Sequence, residues 1–215
     1  MNVIFLLCGL GSVAQGSVQE IPKAELPSAA ACVVCEAKGV GHEAEKPVAG
    51  LLYKGKPYYF CNKSEPKEFK RDPELYVPLA LPMVLPAINL TDQSGKVWGA
   101  EAFTGKLVLL DYWATWCQPC HALKPKLDKL RETYGSRGFE LLSISIDEKR
   151  RTLENFLKKS PFANPVAFDD KQTWSGFKVI AIPAVVLVSD GTVVGIFRGN
   201  FELKSLETAI RANLR

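Results

Sequence analysis

The sequence predicts a layered α/β domain of about 130 residues, preceded by a small cysteine-bearing module. Three observations predict it. Residues 107–214 alternate strand-length apolar runs with helix-period apolar stripes. A proline-rich stretch, Val77 to Pro86, interrupts the chain before them. Four of the six cysteines form two C-x-x-C pairs, one on each side of that stretch. The 215 residues carry 27 basic and 23 acidic side chains, a net charge of +4, which excludes nucleic-acid binding driven by bulk charge. With 47% hydrophobic and 23% charged residues, the composition also excludes disorder as the whole answer.

Taken in order, Val3 to Val13 is apolar or small throughout, and Ser12-Val13-Ala14 offers the small residues of a cleavage site. Residues 1–16 therefore read as an export signal, although no Lys or Arg precedes the apolar run. Leu7 stands before Cys8 where a lipidation motif needs a small residue, so Cys8 leaves with the signal. Five cysteines then remain in an oxidising compartment, an odd number. Residues 17–77 form the first module, with Tyr53 to Cys61 reading as a hairpin turn and an aromatic strand ending in Cys61. Lys67 to Arg71 reads as a solvated face. Residues 78–86 hold three prolines in nine positions and read as a linker, because proline neither continues a helix nor sits in a central strand.

Residues 87–215 form the larger domain. Leu107 to Tyr112 is a strand, and Leu123, Leu127, Leu130 and Tyr134 recur at helical spacing. Phe139 to Ile146 is a second strand, with Asp147 placed to cap a helix marked by Leu153, Phe156 and Leu157. Ala184–Val188 and Thr192–Phe197 flank Asp190-Gly191, a hairpin signal, and Leu203, Leu206, Ile210 and Leu214 mark a last helix. The order is β-α-β-α-β-β-α.

Cys117 and Cys120 follow the first of these strands and open its helix. A helix N-terminus presents free N–H groups and a positive dipole end, so it stabilises a Cys117 thiolate. Cys120, one turn in and expected to be more buried, can displace a partner bound to Cys117. With Asp111 to Cys120, Pro125, Ile182-Pro183 and the Asp190-Gly191 hairpin, residues 84–215 resemble the thioredoxin fold. Within that fold they resemble the TlpA/ResA-like extracytoplasmic thiol–disulfide oxidoreductases. The resemblance implies a central mixed sheet flanked by helices, with Cys117 as nucleophile and Cys120 as resolving cysteine. It implies that Pro183 is cis, that Ile182 offers its backbone to a bound polypeptide, and that Trp116 shapes the surface beside Cys117. Asp111 falls where thioredoxins carry a buried acid that takes the proton of Cys120. Some ResA relatives carry a Glu three residues after the second cysteine, and here that position is Leu123.

Cys117 to His121 also satisfies C-x-x-C-H, the c-type haem attachment pattern. The strand leading directly into the motif opposes haem, and His121 reads as an exposed first-turn residue. In the first module, Cys32, Cys35, the aromatic strand, Cys61 and the Phe69, Asp72-Pro73-Glu74, Tyr76 tail resemble the YHS domain over residues 31–77. That resemblance implies a small α+β, metal-associated module. Related modules carry a cysteine four positions after the strand-ending one, and here it is Glu65. Cys32, Cys35 and Cys61 with Glu65 or His42 could complete a Zn²⁺ site, and the thiolates equally suit Cu(I). A Cys32–Cys35 disulfide with Cys61 as a small buried residue stays open beside it.

The expected protein is thus an exported, periplasmic or otherwise extracytoplasmic protein-disulfide oxidoreductase whose redox chemistry needs no cofactor. The resemblance implies a reductant in cytochrome c or copper-site maturation, acting on protein disulfides and fed by a membrane electron-donor thiol protein. The near-balanced charge argues against nucleic-acid binding, and the one long apolar run, at the N-terminus, is too short for stable membrane insertion after signal cleavage. The alternative is a copper- or zinc-handling protein that uses the thioredoxin domain as a scaffold.

Overall fold

A computed structural model describes residues 17–41 and 43–214. The expected signal at 1–16, with Cys8, and the candidate ligand His42 lie outside the described residues. The first unit contains β1 (Gln19–Glu20), α1 (Val33–Lys38), β2 (Ala49–Tyr53), β3 (Lys56–Phe60), α2 (Glu65–Arg71) and α3 (Pro73–Tyr76). Strands β1-β2-β3 form an antiparallel sheet. The β2–β3 turn falls on Lys54-Gly55, with φ of 50° and 73°, as a two-residue hairpin with both central residues left-handed requires. β3 stops at Phe60, so Cys61 lies just outside the sheet rather than ending the strand. The expected solvated face at 67–71 is only partly so. Lys70 pairs with Glu20 at 2.7 Å, but Phe69 is fully buried. Its ring lies 5.2 Å from Tyr58 and 5.5 Å from Phe60, the centre of the unit's core.

The larger domain contains β4 (Met83–Val84), β5 (Leu90–Thr91), β6 (Val97–Trp98), β7 (Leu107–Trp113), α4 (Gln118–Tyr134), β8 (Phe139–Ser145), α5 (Arg150–Lys159), β9 (Val166–Phe168), β10 (Ala184–Ser189), β11 (Thr192–Arg198) and α6 (Leu203–Asn213). Its sheet runs β4-β11-β10-β7-β8-β9. The β7-β8-β9 side is parallel and the β7-β10-β11-β4 side antiparallel, so the sheet is mixed as expected. The proline-rich stretch is not wholly a linker: it supplies β4 as an edge strand, the one place in a sheet that tolerates flanking prolines. β9 is a strand that the pattern β-α-β-α-β-β-α lacks, because three residues carry no period.

Every residue of β7 is buried, with side chains alternating between two cores. Val108, Leu110 and Tyr112 meet Leu142, Ile144, Phe177 and Val186 on one face. Leu107 and Leu109 meet Leu127 and Leu130 of α4 and Leu206 and Ile210 of α6 on the other. Each such side chain contributes about 1.5–3 kcal/mol of burial, so the strand leading to the C-x-x-C motif is held from both sides.

The two units touch along one seam. Asn200 N donates to the Gly39 carbonyl at 3.1 Å, and Lys178 Nζ donates to the Val77 carbonyl at 2.9 Å. Gly39 has φ +67°, and a Cβ there would lie 2.3 Å from Gly199 N, so this backbone contact admits no side chain. Ile180 packs against the core of the first unit. Among the described residues no helix is long and apolar enough to cross a membrane.

Candidate functional site

Cys117 is the N-cap residue of α4, and its Sγ accepts the Cys120 backbone N–H at 3.2 Å. Pro119 sits in the first turn, where its missing N–H costs nothing. Cys117 and Cys120 form a disulfide with a Cα–Cα distance of 5.3 Å. The expected difference in burial between them does not hold: Cys117 is 4% and Cys120 5% exposed, because Trp113, Ala114, Leu153 and Val166 pack around both. Beside them Trp116 is 66% exposed, a large apolar ring on the open surface.

The turn before Cys117 is fixed from two sides. Asp147 accepts the Thr115 N–H at 3.1 Å and the Thr115 hydroxyl at 2.7 Å, and also the Ser145 hydroxyl at 2.7 Å. It therefore does not cap the following helix, which begins at Arg150 with no side-chain cap. His121 Nε2 donates to the Thr115 carbonyl at 3.0 Å, and its ring lies 5.3 Å from Phe156 and 6.1 Å from Trp113. His121 is thus half-buried and engaged, not the exposed residue expected. Both sulfurs that a haem would need are joined to each other, and the histidine serves the turn.

Asp111 lies in β7, 3% exposed. Burial pushes its carboxyl up to about 6, while a hydrogen bond donated by the Ser143 hydroxyl at 3.0 Å and the charge of Lys124 oppose the shift. Asn164 Nδ2 donates in turn to Ser143 Oγ at 3.0 Å. Leu123 packs into the core under α4. The Ile182–Pro183 bond is cis, and Ile182 packs against the cluster that contains both redox cysteines. The Pro183 carbonyl accepts Gly199 N–H at 2.8 Å, and Arg198 Nη2 donates to the Phe177 carbonyl at 2.9 Å, which fixes the two ends of the 178–183 loop.

Residues 105–193 match the model of a family described as thioredoxin-like. The thiol-disulfide oxidoreductase ResA of Bacillus thuringiensis subsp. konkukian is 31% identical over 128 residues, covering 59% of this chain and 74% of that protein. The chain belongs to the ResA family of thiol-disulfide oxidoreductases. ResA of Bacillus subtilis is 30% identical over 116 residues, covering 53% of this chain and 65% of its own. Among solved structures, a Chlorobium tepidum protein assigned as thiol:disulfide interchange protein DsbE superposes with a TM-score of 0.58 at 30% identity, covering 64% of this chain and 99% of that one. The protein is therefore a thioredoxin-like protein-disulfide oxidoreductase, and such enzymes need no cofactor for their redox chemistry.

The ResA-like domain carries a second group of thiols beside it. Cys32, Cys35, Cys61 and Glu65 bring one ligand atom each within 4.8 Å of one another. The fold gathers them from the start of α1, the end of β3 and the start of α2. Cys32 Sγ donates to Glu65 Oε2 at 3.1 Å, Cys35 Sγ to Oε1 at 3.4 Å and Cys61 Sγ to Oε2 at 3.4 Å. Cys35 and Cys61 sulfurs are 3.5 Å apart. All three cysteines are free thiols, so the Cys32–Cys35 disulfide left open by the sequence is not formed. Burial pushes the Cys35 and Cys61 thiols up, and hydrogen bonds from the thiols and from Asn62 N–H hold Glu65 below its ordinary value despite burial. Sequence reasoning gathered these four residues. It missed Asp147, whose apparent place as a local helix cap concealed a contact 32 residues away.

Proposed function

We propose that the protein is an extracytoplasmic reductant of protein disulfides, acting in the maturation of cytochrome c or of copper-site cysteines and recharged by a membrane electron-donor thiol protein. The observation that carries this reading is the Cys117–Cys120 disulfide at the mouth of α4, beside the exposed Trp116, in a chain of the ResA family. Residues 17–77 act as a distinct N-terminal domain, joined through 78–86 to a redox domain over 87–215.

In the reduced protein the Cys117 thiolate, favoured by the N–H groups of the first turn, attacks one sulfur of a client disulfide. A mixed disulfide forms and one client thiolate leaves. Asp111, whose carboxyl titrates at about 6, takes the Cys120 proton. The Cys120 thiolate then attacks Cys117 Sγ, which closes the intramolecular disulfide and releases the second client thiol. Trp116, Ile182 and Pro183 form the surface on which the client chain lies. A metal-handling protein with a passive thioredoxin scaffold would leave this disulfide without a task.

The test is turnover of insulin disulfides together with the reduction potential of the Cys117–Cys120 couple. Cys117→Ser should abolish insulin reduction. A potential near the thioredoxin value of about −270 mV supports a reductant. One near the DsbA value of about −120 mV would make the protein an oxidant and overturn the client assignment.

A further inference from the structure

We infer that Cys32, Cys35, Cys61 and Glu65 form a closed, four-coordinate site for one divalent borderline ion, Zn²⁺, that staples the N-terminal unit together. With Zn–S near 2.3 Å and Zn–O near 2.0–2.2 Å, the edges of a ZnS₃O tetrahedron measure about 3.5–3.8 Å. Contacts among these donors are 3.5 Å for Cys35 Sγ–Cys61 Sγ, 3.4 Å for Cys35 Sγ–Glu65 Oε1, 3.4 Å for Cys61 Sγ–Glu65 Oε2 and 3.1 Å for Cys32 Sγ–Glu65 Oε2. All four ligand atoms lie within 4.8 Å of one another, so side-chain adjustment closes them onto one ion. Binding exchanges three S–H protons for one cation.

Charge points the same way. Glu65 is 5% exposed, and among the described residues its hydrogen bonds come only from thiols and from the N–H groups of Cys61 and Asn62. Among the described residues no Lys or Arg pairs with it. A buried carboxylate without a cation is costly, and a metal ion is the cation that this geometry admits. The donor set selects among metals. Cu(I) prefers thiolates alone, whereas a carboxylate as fourth ligand suits a borderline divalent ion. Four protein ligands leave no open position, so the site is structural. A unit of about 60 residues has a marginal core, and this ion would tie α1, the end of β3 and α2 to each other.

The experiment uses the full-length chain, reduced and stripped of metal, with ZnCl₂ or Cu(I) added as the only probe. Zinc should bind at one ion per chain. It should shield Cys32, Cys35 and Cys61 from alkylation, mapped by peptide mass, while Cys117 and Cys120 still react. Co²⁺ in its place should give the visible bands of a tetrahedral thiolate site. Glu65→Gln should weaken zinc binding by at least the roughly 10–100-fold typical of an outer-shell partner, and Cys117→Ser should not weaken it. Alkylation of the three thiols unchanged by zinc would overturn the proposal, as would shielding by Cu(I) but not by zinc, or a Cys35–Cys61 disulfide formed with zinc present. The alkylation map is read on the wild-type chain, so the outcome does not depend on a variant that misfolds.

Discussion

Asp111 holds a charge problem that the protein does not fully solve. Its carboxyl titrates at about 6 when folded, against an ordinary 3.8, because burial outweighs the Ser143 hydrogen bond. The folded chain thus keeps this proton when the unfolded chain has lost it. Stability falls as pH rises from about 4 to about 6 and stays low above that, by on the order of 3 kcal/mol. Asp111→Asn should remove that slope and stabilise the oxidised protein at neutral pH. It should also slow the Cys120 step, so that mixed disulfides accumulate. Urea midpoints at pH 4.5 and 7.5 check the first half, and a variant that still loses stability across this range would refute it. The resemblance to thioredoxins, which carry a buried acid at this position, made Asp111 a candidate from sequence. Its partner Ser143, and Asn164 that donates to Ser143, were not legible, since they arrive from β8 and from the residue two before β9.

At the scale of elements, strands and helices with a clear period were legible: β7, β8, β10, β11 and the helices α4, α5 and α6 fall where their apolar spacing places them. β4, β5, β6 and β9 were not, because two or three residues carry no pattern and are strands only through their partners. The turn before Cys117 was hidden for the same reason. Its conformation is imposed by Asp147 after β8 and by His121 in α4, not by Ala114-Thr115-Trp116 themselves. Asp147→Ala should strand the Thr115 N–H and the Ser145 hydroxyl at a cost of roughly 1–3 kcal/mol. It should lower kcat/KM for insulin reduction as the N-cap loosens, with Asp147→Asn recovering part of both. Unfolding midpoints and steady-state rates measure the two effects, and an unchanged rate would show that the turn is not positioned by this carboxylate.

At the scale of the molecule, the seam between the units decides whether they act as one body. The 178–183 loop reaches both ways: Ile180 packs into the N-terminal core, and Ile182 packs beside the redox cysteines. Gly39→Ala places a methyl group against the Gly199 backbone at a left-handed position. It should split thermal unfolding into two transitions and expose the 77–86 segment to protease, whereas a single unshifted transition would mean that the contact carries no coupling. The proline-rich sequence suggested a domain boundary and a linker. The contact between the two units involves two glycines 160 positions apart, with no motif to mark it. The same pair sets the rule for shuffling these units among proteins. Transplanting the N-terminal unit onto another redox domain requires a recipient with glycine just after the last strand of its hairpin, and any other residue there makes the graft a tethered passenger.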